Sequence, residues 1–364
     1  MSRTAPRSAA PGATTFLSSG NEAAPAARHK RTGSSSHRAR SSACSHGMTA
    51  DATISSVLVA EVDCAMHPCS ELTLTSTHNP GSQAVGLLRG HVAAARAQLA
   101  SSQSSAAKIH GARKDLKRAR ATLRLIREAL DPSLYYEEDA HLRRAARMLN
   151  DMRDAEVLLR AFARVRKSVK ESRPDANLEP LHRLLLAERR RASATKLGER
   201  LQDARAVLTQ AHERTREWSV ANDMDLLARG MRRTYRKGRF CYRAACELRS
   251  DERLHAWRRQ VKYSAHQLEA MRSIGSARMI KRLHLCMQLA DLLGRDHDLA
   301  MLHERAAAAD IDATSALHLA DAIRRQRARL QRKALKLGAR LYRVKPRKFQ
   351  PLPRQSSFER ADSR

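Results

Sequence analysis

His110, Arg113, Lys117, Arg120 and Arg124 follow one another at three- and four-residue steps within residues 109–130. At about 100° per residue all five fall within roughly 80° of arc, on a helical stripe about 21 Å long. The chemistry open to such a stripe is electrostatic. Guanidinium forks and ammonium point charges at short intervals suit a chain of phosphates or another extended anion. Beside the stripe, Ile109, Ala112, Leu116, Ala119, Leu123, Ile126 and Leu130 have the spacing of a packing seam. Like charges crowded beside a buried face oppose helix formation. A bound anion would relieve that cost.

The stretch has a second copy. Ile109-His110-x-x-Arg113-Lys114-x-Leu116-Lys117 aligns without gaps on Leu254-His255-x-x-Arg258-Arg259-x-Val261-Lys262, and residues 149–154 align on 293–298 after a shift of one residue. The second stripe is His255, Arg258, Arg259, Lys262 and His266, beside a seam of Leu254, Trp257, Val261, Ala265 and Leu268. A merely solvated face has no need to repeat its His-x-x-Arg start, so both stripes are read as an anion site. Next to phosphates, His110 and His255 are expected to move toward the cationic form and add charge as pH falls. Asp154 and Asp298 are expected to be structural, either as helix N-caps or as partners that orient Arg and His.

The elements that must position these residues are helices throughout. The apolar share is mostly Ala and Leu and aromatic content is 4%, which favours an all-α protein. Helices are expected over residues 85–99, 109–130, 137–149, 151–170, 224–248, 254–271, 299–309 and 315–341. A long helical stretch over 178–218 is expected to divide near Asn222-Asp223. Another helix, over 281–293, is expected to end at Gly294 as its C′ residue. Residues 1–80 read as a disordered basic Ser/Ala-rich tail. Their acid-poor start also matches the composition of an organellar transit peptide, or an extension upstream of a true start at Met48. Residues 342–364 read as a disordered basic tail.

Net charge is +32, far beyond what solubility requires, and it selects polyanions as partners through strongly salt-dependent binding. No run is long and apolar enough for a membrane span, so no membrane partner is expected. The six cysteines form no disulfide framework, which fits a reducing cytoplasm. Cys64 and Cys69 around His67 match no zinc spacing. Neither metal nor cofactor is expected.

The paired motifs resemble the CHAD domain, the conserved histidine α-helical domain. The first half is matched by His110, Arg113, Lys117, Arg118 and Arg120, then Leu149, Arg153 and Asp154. The second is matched by His255, Arg258, Arg259 and Lys262, then Leu293, Gly294, His297 and Asp298. The resemblance spans residues 85–341, in halves 85–220 and 221–341. It implies two pseudo-symmetric four-helix-bundle-like units around a basic central cavity. It also implies non-catalytic binding of inorganic polyphosphate there and association with polyphosphate granules in bacteria. Arg118 joins the binding set on this ground. Two departures stand out: Asn150 replaces the first-half glycine, and Ala265-His266 stands where the family often has Arg-Tyr.

Two other functions compete. His297-Asp298 is an HD dipeptide, as in metal-dependent helical phosphohydrolases, but the repeat sets Arg153 opposite His297 and a guanidinium is no metal ligand. Nucleic-acid binding follows from charge alone and is expected at low salt, non-specifically and through the tails. Both ladders are expected to face one shared cavity.

Overall fold

The Ser-rich segment after the first helix also starts the second, because Ser104 Oγ accepts a hydrogen bond from Ala107 N at 3.5 Å and satisfies a free amide of the first turn. The computed structural model describes residues 72–75, 78–194 and 196–352. The expected tail before residue 72, with Cys44, Cys64, His67 and Cys69, lies outside the described residues, as do residues 353–364. Among the described residues the regular structure is ten α-helices and three 3-10 turns, without a strand. The helices are α1 (Pro80–Ala100), α2 (Ser105–Leu125), α3 (Pro132–Met148), α4 (Asn150–Ser172), α5 (Glu179–Ala194), α6 (Leu197–Arg214), α7 (Met224–Glu247), α8 (Asp251–Ala270), α9 (Ala277–Ala306) and α10 (Ala313–Leu341).

Several boundaries differ from expectation for identifiable reasons. The helix expected over 109–130 stops at Leu125 and passes into a 3-10 turn at Arg127–Ala129. Pro132 does not merely break it. It begins α3 at a position that needs no N–H, with Asp131 as the N-cap, accepting from Ser133 N at 2.8 Å. The long stretch over 178–218 divides after Ala194, where Lys196 takes a left-handed φ of 44°. Asp223 instead caps α7, accepting from Asp225 N at 2.7 Å.

Gly294 is no helix terminus. It lies inside the 30-residue α9, where the roughly 1 kcal/mol cost of a helical glycine is offset by packing on both sides. Leu283, Leu289 and Leu293 bury ahead of it, and Leu299 and Leu302 behind it. Residues 342–352 are also structured. A 3-10 turn at Pro346–Lys348 brings Phe349 onto the Tyr235 ring, with centroids 4.0 Å apart.

Both expected seams are buried. Leu116, Leu123, Trp257 and Val261 are at most 1% exposed, and burial of each leucine contributes about 1.5–3 kcal/mol. α2 packs on α1 and α8, α8 on α7 and α9, and α9 on α4 and α10. The two hydrophobic cores do not follow the two sequence halves. The larger is built on α1–α3, α6–α8, the start of α9, the end of α10 and the segment after it. The smaller joins α4 and α5 to the end of α9 and to α10. The stretches matched in the repeat, on α2 with α8 and α4 with α9, therefore meet across the halves.

Candidate functional site

Where α2, α4, α8 and α9 converge, the two His-x-x-Arg stretches come together. Lys117 of α2 lies within electrostatic reach of Arg113, of Arg153 on α4 and of Arg258 on α8. Lys262 of α8 in turn feels Arg258, Lys117 and Arg153. Asp154 sits against Arg113, Arg153 and Lys117, and Asp298 against Arg258 and Arg153. Five cations thus share one region with two carboxylates, and neither carboxylate closes a salt bridge within 4 Å among the described residues.

Burial sets the electrostatics. Removal from water, reinforced by neighbouring cations, lowers Lys117 to about 8 and Lys262 to about 6. Asp154 and Asp298 are raised by burial against the pull of Arg113 and Arg258. Several polar atoms in this region are buried without a hydrogen-bond partner among the described residues: the donors Arg113 Nε, Arg153 Nη1 and Arg258 Nε, and His255 Nδ1. Leaving such groups unpaired in a folded protein is costly.

The two halves differ in how they hold their arginine. Arg113 Nη1 donates to Asn150 Oδ1 and, at 3.1 Å, to Ala146 O. The aligned Gly294 has no side chain to offer Arg258. A Cβ there would stand 3.8 Å from the guanidinium. The histidines mark the two ends. Burial and Arg153 lower His110 to about 4. His255 faces the His297 ring at a centroid distance of 4.8 Å, and burial and Arg258 lower His297 to about 4. These shifts leave His110 and His297 neutral near pH 7.

Four residues of the expected set are committed elsewhere. Arg118 is buried and pairs with Glu269 Oε1 at 2.7 Å and Asp115 Oδ1 at 3.4 Å. His266 Nδ1 meets Glu269 Oε2 at 3.1 Å. Arg120 Nε and Arg124 Nη1 both bond Asp139 Oδ1, at 3.0 and 2.9 Å, and Arg124 lies 4.2 Å over the Tyr263 ring. Position explains the split: Arg120 and Arg124 lie about one to two turns beyond Lys117, where α3 brings Asp139, and Arg118 lies about 100° round from Lys117, against Glu269 of α8. Arg259 is exposed and within electrostatic reach of both His255 and, on α7, Cys241.

The N-cap role expected of Asp154 and Asp298 is corrected. Both lie inside helices, α4 and α9, and act on the arginines beside them. Cys241 and Cys246 are ordinary residues of α7. Arg153, Arg160 and Arg164, absent from the expected set, also reach this region. Arg160 acts on His110 and Arg153, and Arg164 on Asp298. Their spacing on α4 was a readable signal, a third cation stripe within roughly 40° of arc. Among the described residues no group of three His, Cys, Asp or Glu could hold a metal ion, and no helix is long and apolar enough to cross a membrane.

Comparison with known proteins places this arrangement. No curated protein matches the chain. Among solved structures, PptA from Streptomyces chartreusis is similar at 15% identity and a TM-score of 0.51, covering 71% of this chain and 99% of that one. The CHAD domain from the plant Ricinus communis is 16% identical with a TM-score of 0.43, over 77% of this chain and 93% of that one. At such identity the first likeness bears on the fold alone. The CHAD domain model matches residues 84–307, which hold both His-x-x-Arg stretches and all four helices around the cations. The chain belongs to the CHAD domain family.

Proposed function

We propose that the protein binds inorganic polyphosphate, without turning it over, at the junction of α2, α4, α8 and α9. The observation that carries this reading is the set of buried guanidinium donors, Arg113 Nε, Arg153 Nη1 and Arg258 Nε, that have no partner among the described residues. A folded chain tolerates such groups when a ligand supplies the acceptors. Polyphosphate does so at every unit, with tetrahedral, singly charged groups that have neither a base to stack nor an apolar handle.

In this reading Arg113, Arg153 and Arg258 supply forks, and Lys117 and Lys262 supply point charges between them. His110 stands at one end and the His255–His297 pair at the other. Asp154 and Asp298 hold the arginines in place and offset the mutual repulsion of the cations. Arg118, Arg120, Arg124 and His266 serve the packing of α2, α3 and α8 and leave the binding set, and Arg259 stands at its edge. Partnership with granules of polyphosphate follows from the same chemistry.

The test is direct titration of long-chain polyphosphate at near-physiological salt. A Lys117→Ala/Lys262→Ala variant should bind at least 100-fold more weakly, since each charged contact contributes about 1.5–3 kcal/mol. Unchanged affinity would remove the site. Phosphate release from polyphosphate with added Mg²⁺ or Mn²⁺ would restore the phosphohydrolase alternative.

A further inference from the structure

A second concentration of positive charge lies on α7 and α10. Residues 226–246 and 322–348 contain no aspartate or glutamate. The two helices run antiparallel. Tyr235 Oη donates to Val344 O at 2.7 Å, Arg239 Nε to Tyr342 O at 3.1 Å and Tyr242 Oη to Leu335 O at 3.4 Å. α8 separates this pair from the polyphosphate site. Its Trp257 packs on Tyr242, with centroids 5.1 Å apart, whereas Arg258 and Lys262 leave α8 roughly 100–140° further round.

Most of the cations on the outer faces are unclaimed. On α10, Arg329, Arg332, Lys333, Lys336 and Arg340 are exposed at one- to four-residue steps, over about 16 Å at 1.5 Å per residue. On α7, Arg236, Lys237 and Arg243 are exposed. None of these eight has a carboxylate partner among the described residues. An ordinary solvated helix intersperses glutamate for support from i, i+4 pairs, and here that support is missing on two adjacent helices. Among the α7 cations stands Phe240, 66% exposed, with Lys237 Nζ 5.5 Å from its ring centroid.

We propose that this outer face binds single-stranded nucleic acid, with the phosphodiester backbone along the exposed cations and a base stacked on Phe240. The ring decides the ligand class. Polyphosphate has nothing to place against an aromatic face, whereas every base does. A lipid surface would ask for an apolar stripe, and Phe240 stands alone among cations. Binding of this kind tolerates sequence and weakens with salt.

The experiment uses the full chain and a labelled oligothymidine of about 20 nucleotides, longer than the roughly 4–16 nucleotides a single-strand-binding fold covers, read by fluorescence anisotropy at near-physiological salt. An Arg332→Gln/Lys336→Gln/Arg340→Gln variant should bind it at least tenfold more weakly and keep its affinity for long-chain polyphosphate. Phe240→Ala should lose about tenfold toward the oligonucleotide, the effect of one stacked base. Lys117→Ala/Lys262→Ala should show the opposite pattern, so that failure of the polyphosphate reading is told apart from failure of this one. All substituted positions on the outer face are exposed, and circular dichroism checks the fold.

Four results would each overturn the proposal. The outer-face variant could bind the oligonucleotide like the wild type, which would assign binding to the tails. The same variant could lose polyphosphate equally, which would make the face a second polyphosphate track. Phe240→Ala could have no effect, or a duplex of the same length could bind more tightly, either of which would remove stacking.

Discussion

Lys262 shows best what crowding buried cations costs the fold. Its ammonium is driven from an ordinary 10.5 to about 6 by burial and by Arg258 and Lys117. Between those two values the unfolded chain holds a proton that the folded chain has released, so stability rises with pH across the window. The contribution is complete above 10.5 and is lost as pH falls through 6. A Lys262→Met variant should therefore be more stable than the wild type near pH 6 and lose that advantage by about pH 10.5, which urea denaturation at several pH values would show. A difference that does not change with pH would mean that Lys262 is solvated.

Polyphosphate bound as proposed should reverse the shift. Near pH 7.5 binding should take up protons on Lys262 and Lys117, and calorimetry in buffers of different ionisation enthalpy would detect the uptake; release of protons would contradict it. Arg124 sets the opposite case. Its bonds to Asp139 are internal, so Arg124→Ala should cost about 1.5–3 kcal/mol of stability and leave polyphosphate affinity within about twofold.

At the scale of elements, two glycines with one composition signal behave oppositely. Gly294 lies inside α9 with room around it, since a Cβ would stand no nearer than 3.8 Å to Arg258. Gly294→Ala should stabilise the protein by up to about 1 kcal/mol through helix propensity. Gly338 lies inside α10 against α7 and α8, and a Cβ there would come within 2.6 Å of both Trp257 Cζ2 and Tyr242 Cε2. Gly338→Ala should destabilise by about 1–3 kcal/mol through overpacking. Equal effects of the two substitutions in thermal melts would refute this account of α10. Sequence shows a glycine in each helix, but the neighbouring helix decides which of them is required.

At the scale of the whole molecule, the charge of +32 is not spread evenly. Part is neutralised internally by Asp139, Glu269 and Asp296, part converges at the four-helix junction, and part covers α7 and α10. Polyphosphate affinity should fall with salt along a log–log slope of about −4, from roughly six contacts at about 0.7 each. The Lys117→Ala/Lys262→Ala variant should lower the slope by about 1.4. Equal slopes would place binding in the tails.

Periodicity and composition by themselves determined the helical class, the buried seams and the two His-x-x-Arg stretches, because a 3.6-residue period is written locally. The same period placed Arg113, Lys117, Arg120 and Arg124 on one stripe, to which the family resemblance added Arg118, and could not say which of them met carboxylates. That choice depends on Asp139 from α3 and Glu269 from α8, residues near only after folding. It also depends on α4, which brings Arg153 between the halves. Helix ends were the least legible part, since Gly294 reads as a stop until the packing on both sides of it carries α9 through. Only the tertiary structure decided which cations are spent on the fold and which are left for a ligand. Charge type is local, whereas charge pairing depends on contacts distant in sequence.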